Sequence, residues 1–85
     1  MIWRIAYTDR AKRDFRALDR GIAARVSQAL NRLAETGYGD VTRVRGWGET
    51  LRLRVGDWRV FFSWDRDENV IRVLSVRHRR EAYRE

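Results

Sequence analysis

Cysteine and proline are absent from this 85-residue sequence, and lysine and histidine occur once each, as Lys12 and His78. Without cysteine the chain has no disulfide, no thiolate ligand for zinc and no thiol nucleophile. No window approaches the roughly 18 apolar residues of a membrane span, and the N-terminus lacks the apolar run of a secretory signal. We therefore predict a cytoplasmic protein without cofactor, metal centre or membrane contact, folded as a single domain over residues 1–85.

Arginine is what the sequence has in excess. The formal net charge is +7 and the pI is about 11.2. The planar guanidinium fits phosphate bidentately and stacks on bases, so a domain this basic predicts a nucleic-acid partner. Two other interpretations remain open. A GC-rich genome would favour arginine codons over lysine codons, and an acidic protein partner is compatible with nucleic-acid binding.

Hydrophobic periodicity predicts the order of the elements. Residues 2–7 alternate as a strand does, and apolar residues then recur at helical spacing, first from a cap at Thr8 or Asp9 to Leu18 and again over residues 22–33. Residues 41–49 form a loop or an irregular strand. Apolar residues then recur at every second position in 51–55, 58–64 and 70–76, which predicts three strands. We predict an α+β fold with an N-terminal strand, an antiparallel two-helix hairpin and an antiparallel β-meander forming one sheet, whose one face the hairpin covers.

A two-residue turn at Gly56 and Asp57 sets the register of the first two strands of the meander. Arg54 then lies directly opposite Arg59, and Arg52 lies on the same face. The apolar residues of both strands all fall on the other face, so the hydrophobic pattern and the turn predict the same register.

Arginines opposed across a sheet repel one another unless an anion lies among them. Such a patch suits a site that binds phosphate and stabilises a developing phosphorane. The alternative is a solvated face whose arginines are bridged by carboxylates, for which Asp57 and Glu49 are the nearby acids in the sequence.

The face of the last strand depends on the length of the turn before it. A five-residue turn would put Arg72 in the core, whereas a four-residue turn puts Ile71 and Val73 there. We prefer the second, because an unpaired buried arginine is costly. Three apolar residues of this strand would then be partly exposed, as a protein-binding surface or beneath the C-terminal tail. They are Val70, Leu74 and Val76.

The tail carries the remaining candidates. His78 could move a proton or could be a solvated side chain, and Tyr83 could serve the site or could pack the tail onto the sheet. Residue type alone favours the structural interpretation for both.

The chain as a whole resembles the RelE/ParE superfamily of toxins from type II toxin–antitoxin pairs. The resemblance rests on residues 8–15, 18–19, 37–40, 44–46, 51–60 and 78–83. Its specific parts are the Arg-Val-Gly-Asp-Trp-Arg run of 54–59 and the His-Arg-Arg-Glu-Ala-Tyr run of 78–83.

The resemblance implies a metal-independent endoribonuclease that cleaves mRNA on the ribosome and is held by a cognate antitoxin. The RNA's 2′-hydroxyl attacks the adjacent phosphate and leaves a 2′,3′-cyclic phosphate. Arg59 matches the arginine that stabilises the phosphate, Arg79 the tail arginine that acts as acid or charge stabiliser, and Tyr83 the tyrosine that stacks on the base and takes the 2′-hydroxyl proton.

Four further residues are implied in binding RNA or phosphate: Arg52, Arg54, His78 and Arg80. Arg52 and Arg54 match a basic pair that is often lysine in the family, and His78 stands where some members carry another basic residue. The spacing between Arg79 and Tyr83 is shorter than in some members.

Two competing functions stay open. A ParE-like inhibitor of DNA gyrase would bind protein without nuclease activity and would not need Arg59, Arg79 and Tyr83 together. A non-catalytic RNA-binding module would show a steep salt dependence without producing cleaved ends. We expect an antitoxin segment, a helix with acidic residues, to bind the sheet and tail region and to occlude or displace Tyr83.

Overall fold

The computed structural model describes residues 3–82, and it contains two helices and five strands. In chain order they are β1 (Arg4–Tyr7), α1 (Asp9–Arg16), α2 (Arg20–Thr36), β2 (Val41–Arg43), β3 (Leu51–Val55), β4 (Trp58–Asp65) and β5 (Val70–His78). The strands form one sheet in the order β1-β5-β4-β3-β2. The predicted α+β fold is confirmed.

Local chemistry explains where the helices begin and end. The hydroxyl of Thr8 accepts a hydrogen bond from the Ala11 N–H at 3.1 Å and donates one to the Leu74 carbonyl at 3.0 Å. Thr8 therefore caps α1 and ties its N-terminus to β5. α2 ends at Gly37, whose φ of 77° is the left-handed conformation that glycine adopts without a Cβ clash.

The sheet is mixed, which corrects the expectation of a wholly antiparallel one. β1 pairs with β5 in the parallel sense, from Arg4 opposite Val70 to Tyr7 opposite Val73. The other three pairings are antiparallel. Alternation of polar and apolar residues predicts that a segment is a strand, but it does not say which strand lies beside it. The sequence therefore predicted β1 but not its parallel pairing with β5.

The helices cover one face of the sheet and bury the main core against it. Among residues 3–82, no helix is long and apolar enough to cross a membrane. The buried side chains of the main core come from both helices and from β3, β4 and β5: Ala11, Val26, Leu30, Leu33, Ala34, Leu53, Val60, Phe62, Ile71, Val73 and Val76.

The turn before β5 has four residues, because Asp65 pairs with Val70. Ile71 and Val73 are fully buried and Arg72 is exposed, as predicted.

Partial exposure was expected for three apolar residues of β5; it is confirmed for Leu74 and wrong for Val70 and Val76, which are buried. A β-bulge between Phe61 and Phe62 places Phe61 opposite Ser75 and Phe62 opposite Val73, so Leu74 is the extra residue. A bulge resets the alternation of faces, and Val76 turns into the main core with 5% exposure. Val70 is 4% exposed, and Leu74 packs against a second cluster on the other face.

Candidate functional site

Three arginines lie side by side across three strands. Arg54 on β3 is directly opposite Arg59 on β4, and Arg59 is directly opposite Arg77 on β5. Directly opposed residues of an antiparallel pair have Cα atoms about 4.5–5.5 Å apart, so the three side chains leave the face away from the helices as neighbours. We call these three residues the arginine row.

The β3–β4 register is the one predicted from the sequence, but Arg77 was missed. Side chains of a regular strand alternate between the two faces, so residue 77 should lie on the core face with Ile71 and Val73. The bulge at Leu74 shifts this alternation by one residue and moves Arg77 to the opposite face. No local signal marks the bulge, since its position depends on how β5 packs against β4.

The β3–β4 turn holds the central arginine of the row. Gly56 has a φ of 59°, the positive value that a primed hairpin turn requires at its first position. Nη1 of Arg59 donates to the Gly56 carbonyl at 2.8 Å and to the Trp58 carbonyl at 3.0 Å. Nε and Nη2 carry three more N–H donors, so the guanidinium is oriented by the turn and can still bind an anion.

Carboxylates approach two of the predicted arginines. Nε of Arg54 lies 2.9 Å from Oδ2 of Asp40, and Nε of Arg79 lies 3.8 Å from Oδ1 of Asp57. Asp40 was not among the acids expected here; it is brought in because its carbonyl accepts the Arg54 N–H at 2.9 Å. All four side chains are at least half exposed, so these ion pairs are weak and an incoming phosphate can compete with them.

The tail reaches the same turn. The Arg79 N–H donates to the Asp57 carbonyl at 2.7 Å, which brings Arg79 beside the turn that orients Arg59. The arginine row and Arg79 therefore bring four guanidinium groups to this end of the sheet, and carboxylates pair with two of them, Arg54 and Arg79.

A small apolar cluster lies next to the row on the same face. Phe61 is 1% exposed beneath Val44 and Ala82, with Trp47 packed at a ring-centroid distance of 5.0 Å. We call Val44, Phe61 and Ala82 the minor core. Arg52 lies opposite Phe61 and is half-buried, so it stands at the border between the row and the minor core.

The structure does not bring His78 to the arginine row. His78 is opposite Trp58 and its ring meets that of Trp58 edge-on at 5.2 Å, on the helix side of the sheet. There it lines a cavity of about 240 Å³ together with Arg10 and Asp14 of α1, and Arg77 reaches the same cavity from the end of β5. Arg80 is exposed, and its N–H donates to Nδ1 of His78 at 3.3 Å.

Tyr83, predicted to stack on the base, lies outside the described residues. Within residues 3–82, no group of three or more histidine, cysteine, aspartate or glutamate side chains is placed to hold a metal ion. What the described site offers is a set of oriented N–H donors at high positive charge, an arrangement that binds phosphate and stabilises added negative charge on it.

The chain is similar in fold to solved structures of toxins and of toxin–antitoxin complexes. A chain of the complex RelBE2 from Mycobacterium tuberculosis is 25% identical with a TM-score of 0.82, and the match covers 93% of this chain and 100% of that one. A chain of the archaeal RelE–RelB complex from Pyrococcus horikoshii is 24% identical with a TM-score of 0.78, over 96% of this chain and 100% of that one. The isolated RelE toxin of E. coli is 17% identical with a TM-score of 0.77, over 89% and 83%.

A family model described as the ParE toxin of the type II toxin–antitoxin system parDE matches residues 5–83. No curated protein matches the chain. The chain belongs to this toxin family, and the resemblance to the RelE/ParE superfamily is confirmed. It is the toxin component of a type II toxin–antitoxin system.

Proposed function

We propose that this toxin is a metal-independent endoribonuclease that cleaves mRNA on the ribosome. The observation that carries the proposal is the arginine row, in which Arg54, Arg59 and Arg77 are in register around one turn. Like charges placed this closely cost stability in the free protein, and a bound phosphate relieves that repulsion.

The reaction uses the RNA's own nucleophile. The 2′-oxygen bonds to the adjacent phosphorus, the P–O5′ bond breaks, and the products are a 2′,3′-cyclic phosphate and a 5′-hydroxyl. One proton leaves the 2′-hydroxyl and one reaches the departing 5′-oxygen. Arg59 stabilises the phosphorane, Arg79 stabilises or protonates the leaving oxygen, and Tyr83 stacks on the base and takes the 2′-hydroxyl proton.

Most of the rate would come from electrostatics and positioning. The two hydrogen bonds from Arg59 to the β3–β4 turn support this, because a guanidinium already oriented does not need to reorganise during the reaction. Arg52 and Arg80 would contact flanking phosphates. His78, on the helix side of the sheet, would reach RNA only where the strand wraps around the end of β5.

A cognate antitoxin is the proposed protein partner, since the M. tuberculosis and P. horikoshii relatives were solved as toxin–antitoxin complexes. Of the two grounds for the antitoxin surface expected from the sequence, the net charge of +7 remains, whereas Val70 and Val76 are buried within the toxin itself and cannot contribute to it.

Inhibition of DNA gyrase without nuclease activity is the second candidate. The observation that favours it is the family model, which describes the ParE branch of the superfamily. The two functions differ in what they do to RNA, so one experiment separates them.

The test is single-turnover cleavage of an mRNA on programmed ribosomes at saturating toxin. Arg59→Ala should slow cleavage by about 10²–10³, the usual loss on removing one preorganised charge stabiliser. Arg66→Ala, which removes an exposed arginine of the β4–β5 turn, is the matched control and should cleave at the parent rate. Tyr83→Phe keeps the ring without the hydroxyl and separates proton transfer from stacking. Intact mRNA together with gyrase-dependent DNA breaks would overturn the proposal in favour of the second candidate.

A further inference from the structure

The strand β5 loses its neighbour on one side before it reaches the arginine row. β1 pairs with β5 as far as Tyr7, opposite Val73, and the chain then leaves the sheet into α1. Within residues 3–82, the part of β5 that follows the bulge therefore has a strand beside it on the β4 side alone. This part carries Arg77, so the position of that arginine depends on what holds the other edge of β5.

Two side chains of the segment that begins α1 bind this edge where a strand would otherwise lie. At the bulge itself, the Thr8 hydroxyl donates to the Leu74 carbonyl at 3.0 Å. Two residues further along β5, Oδ2 of Asp14 accepts the Val76 N–H at 2.9 Å. The two sides of the bulge are thus held by different residues, and Asp14 holds the side that leads directly into Arg77.

The bond between Val76 and Asp14 exists only because of the bulge. In a regular strand, the N–H and carbonyl of one residue point to the same edge, and those of the next residue point to the other edge. The Val73 carbonyl points to the β1 side, where it accepts the Thr8 N–H at 3.0 Å, so a regular strand would point the Val76 N–H towards β4. With the bulge, that N–H points to Asp14 instead. Asp14 therefore stabilises the bulged strand over the regular one.

The Asp14 carboxylate is itself held in place. Its other oxygen, Oδ1, accepts from Nε of Arg10 at 3.3 Å, one helical turn earlier in α1. The side chain of Asp14 is 19% exposed, and a charged acceptor makes a stronger hydrogen bond to an N–H group than a neutral one does. Asp14 belongs to the helix that covers the opposite face of the sheet from the row, so it does not contact the reacting phosphate.

We propose that Asp14 is a positioning residue for Arg77, which it keeps in the arginine row by fixing the backbone of β5 after the bulge. The inference rests on the proposed function, since the row is the site that it serves. Without the bulge, the register would shift by one residue, Val76 would lie opposite Arg59, and Arg77 would turn towards the helices. The row would then lose one of its three guanidinium groups.

The effect expected on RNA binding is opposite in sign to the effect of charge alone. Asp14→Ala removes one negative charge, which by itself strengthens binding to a phosphate backbone. A displaced Arg77 weakens binding, because one phosphate contact is lost. Weaker binding by Asp14→Ala would therefore come from the position of Arg77 and not from the change in net charge.

The first test is a double-mutant cycle of RNA affinity, measured with a short 2′-O-methylated RNA that binds without being cleaved. Asp14→Ala should weaken binding about fivefold, and adding Arg77→Ala should weaken it only about twofold more, because residues that act through one another are not additive. Asp14→Asn keeps an oxygen for the Val76 N–H and should bind nearly as the parent does. Asp9→Ala, which removes an exposed carboxylate of the same helix, is the matched control and should bind at least as tightly as the parent.

The second test locates residue 77 without RNA. The chain has no cysteine, so the pair Arg59→Cys and Arg77→Cys reports the register through the rate at which its disulfide forms under mild oxidation. Adding Asp14→Ala should slow this disulfide about threefold, because the bond needs the two Cβ atoms about 4 Å apart. The pair Arg54→Cys and Arg59→Cys is the control, since the β3–β4 turn sets its register and its rate should not change.

The proposal is overturned if Arg77→Ala weakens binding equally with and without Asp14, or if Asp14→Ala leaves the rate of the 59–77 disulfide unchanged. A toxin that binds no RNA would contradict the proposed function, and the disulfide rates would still decide the role of Asp14. Urea unfolding of each variant fixes conditions in which all are folded. Asp14→Leu, which fills the space with an apolar side chain, replaces Asp14→Ala if the latter does not fold.

Discussion

The two faces of the sheet are covered very differently. The helical hairpin buries one face under a main core contributed by two helices and three strands. Among residues 3–82, the other face is covered by the loop after β2 and by the start of the tail, which meet over Phe61 in the minor core. Beside the minor core that face carries the arginine row.

This difference separates stability from chemistry. Most side chains on the helix-covered face pack into the main core, and the charged ones, such as Asp14, which accepts the Val76 N–H, stand at its border. The lightly covered face can hold arginines in contact with solvent, where their mutual repulsion is tolerable and a ligand can reach them. Substitutions on the helix-covered face should therefore change mainly the free energy of unfolding, and substitutions in the arginine row should change mainly RNA binding and cleavage.

Phe61 and Phe62 are adjacent in the chain and almost equally buried, with 1% and 0% exposure, but they point to opposite faces. Phe62→Ala should lower the free energy of unfolding by about 3–5 kcal/mol, as expected for emptying a large site in a main core. Phe61→Ala should cost clearly less, because the loop and tail above it can collapse into the space. Urea unfolding of the two variants measures the difference, and equal losses would show that the minor core is as rigid as the main one.

The arginine row should dominate RNA affinity on its face. Arg77→Ala should weaken RNA binding about tenfold and reduce the slope of log K against log salt by about 0.7, the value for one phosphate contact of a single strand. Arg72→Ala is the matched control, because Arg72 is an exposed arginine of the same strand that lies opposite Ser63 and outside the row. A salt titration that affects both variants alike would argue against a defined row.

The hydroxyl of Thr8 joins α1 to β5 on the helix-covered side. Thr8→Ala should lower the free energy of unfolding by about 1 kcal/mol, because the cap and the bond to the Leu74 carbonyl are both lost. Thr8→Ser keeps the hydroxyl and should recover most of that loss. Cleavage by either variant should match the parent at a temperature where both are folded, and a large loss of activity in Thr8→Ala would link α1 to the site.

The smallest effect concerns pH. Burial raises the pKa of the Tyr7 phenol above its ordinary value of 10.0. Below pH 10 both folded and unfolded chains keep the proton, so stability is unaffected there. As pH rises from the unfolded value through the folded one, the unfolded chain ionises first and stability falls. Tyr7→Phe should remove this loss in thermal unfolding above pH 10, and an unchanged pH profile in that variant would contradict the assignment to Tyr7.

Some features follow from short stretches of sequence. Alternation in residues 51–64 and the Gly56-Asp57 pair are enough to predict that Arg54 faces Arg59, since a two-residue turn and a one-sided hydrophobic pattern allow one register. The cap at Thr8 and the end of α2 at Gly37 are equally local, because each depends on the backbone of a few neighbouring residues.

Other features required the tertiary structure. The bulge at Leu74, which brings Arg77 into the row and turns His78 away from it, arises from the packing of β5 between two neighbours. The parallel pairing of β1, the approach of Asp40 to Arg54 and the cover over Phe61 each join residues that are distant in the chain. The sequence by itself therefore determined the elements, the β3–β4 register and the excess of positive charge. Only the folded chain decided which arginines stand together, because that depends on strand neighbours and on one bulge that no local pattern encodes.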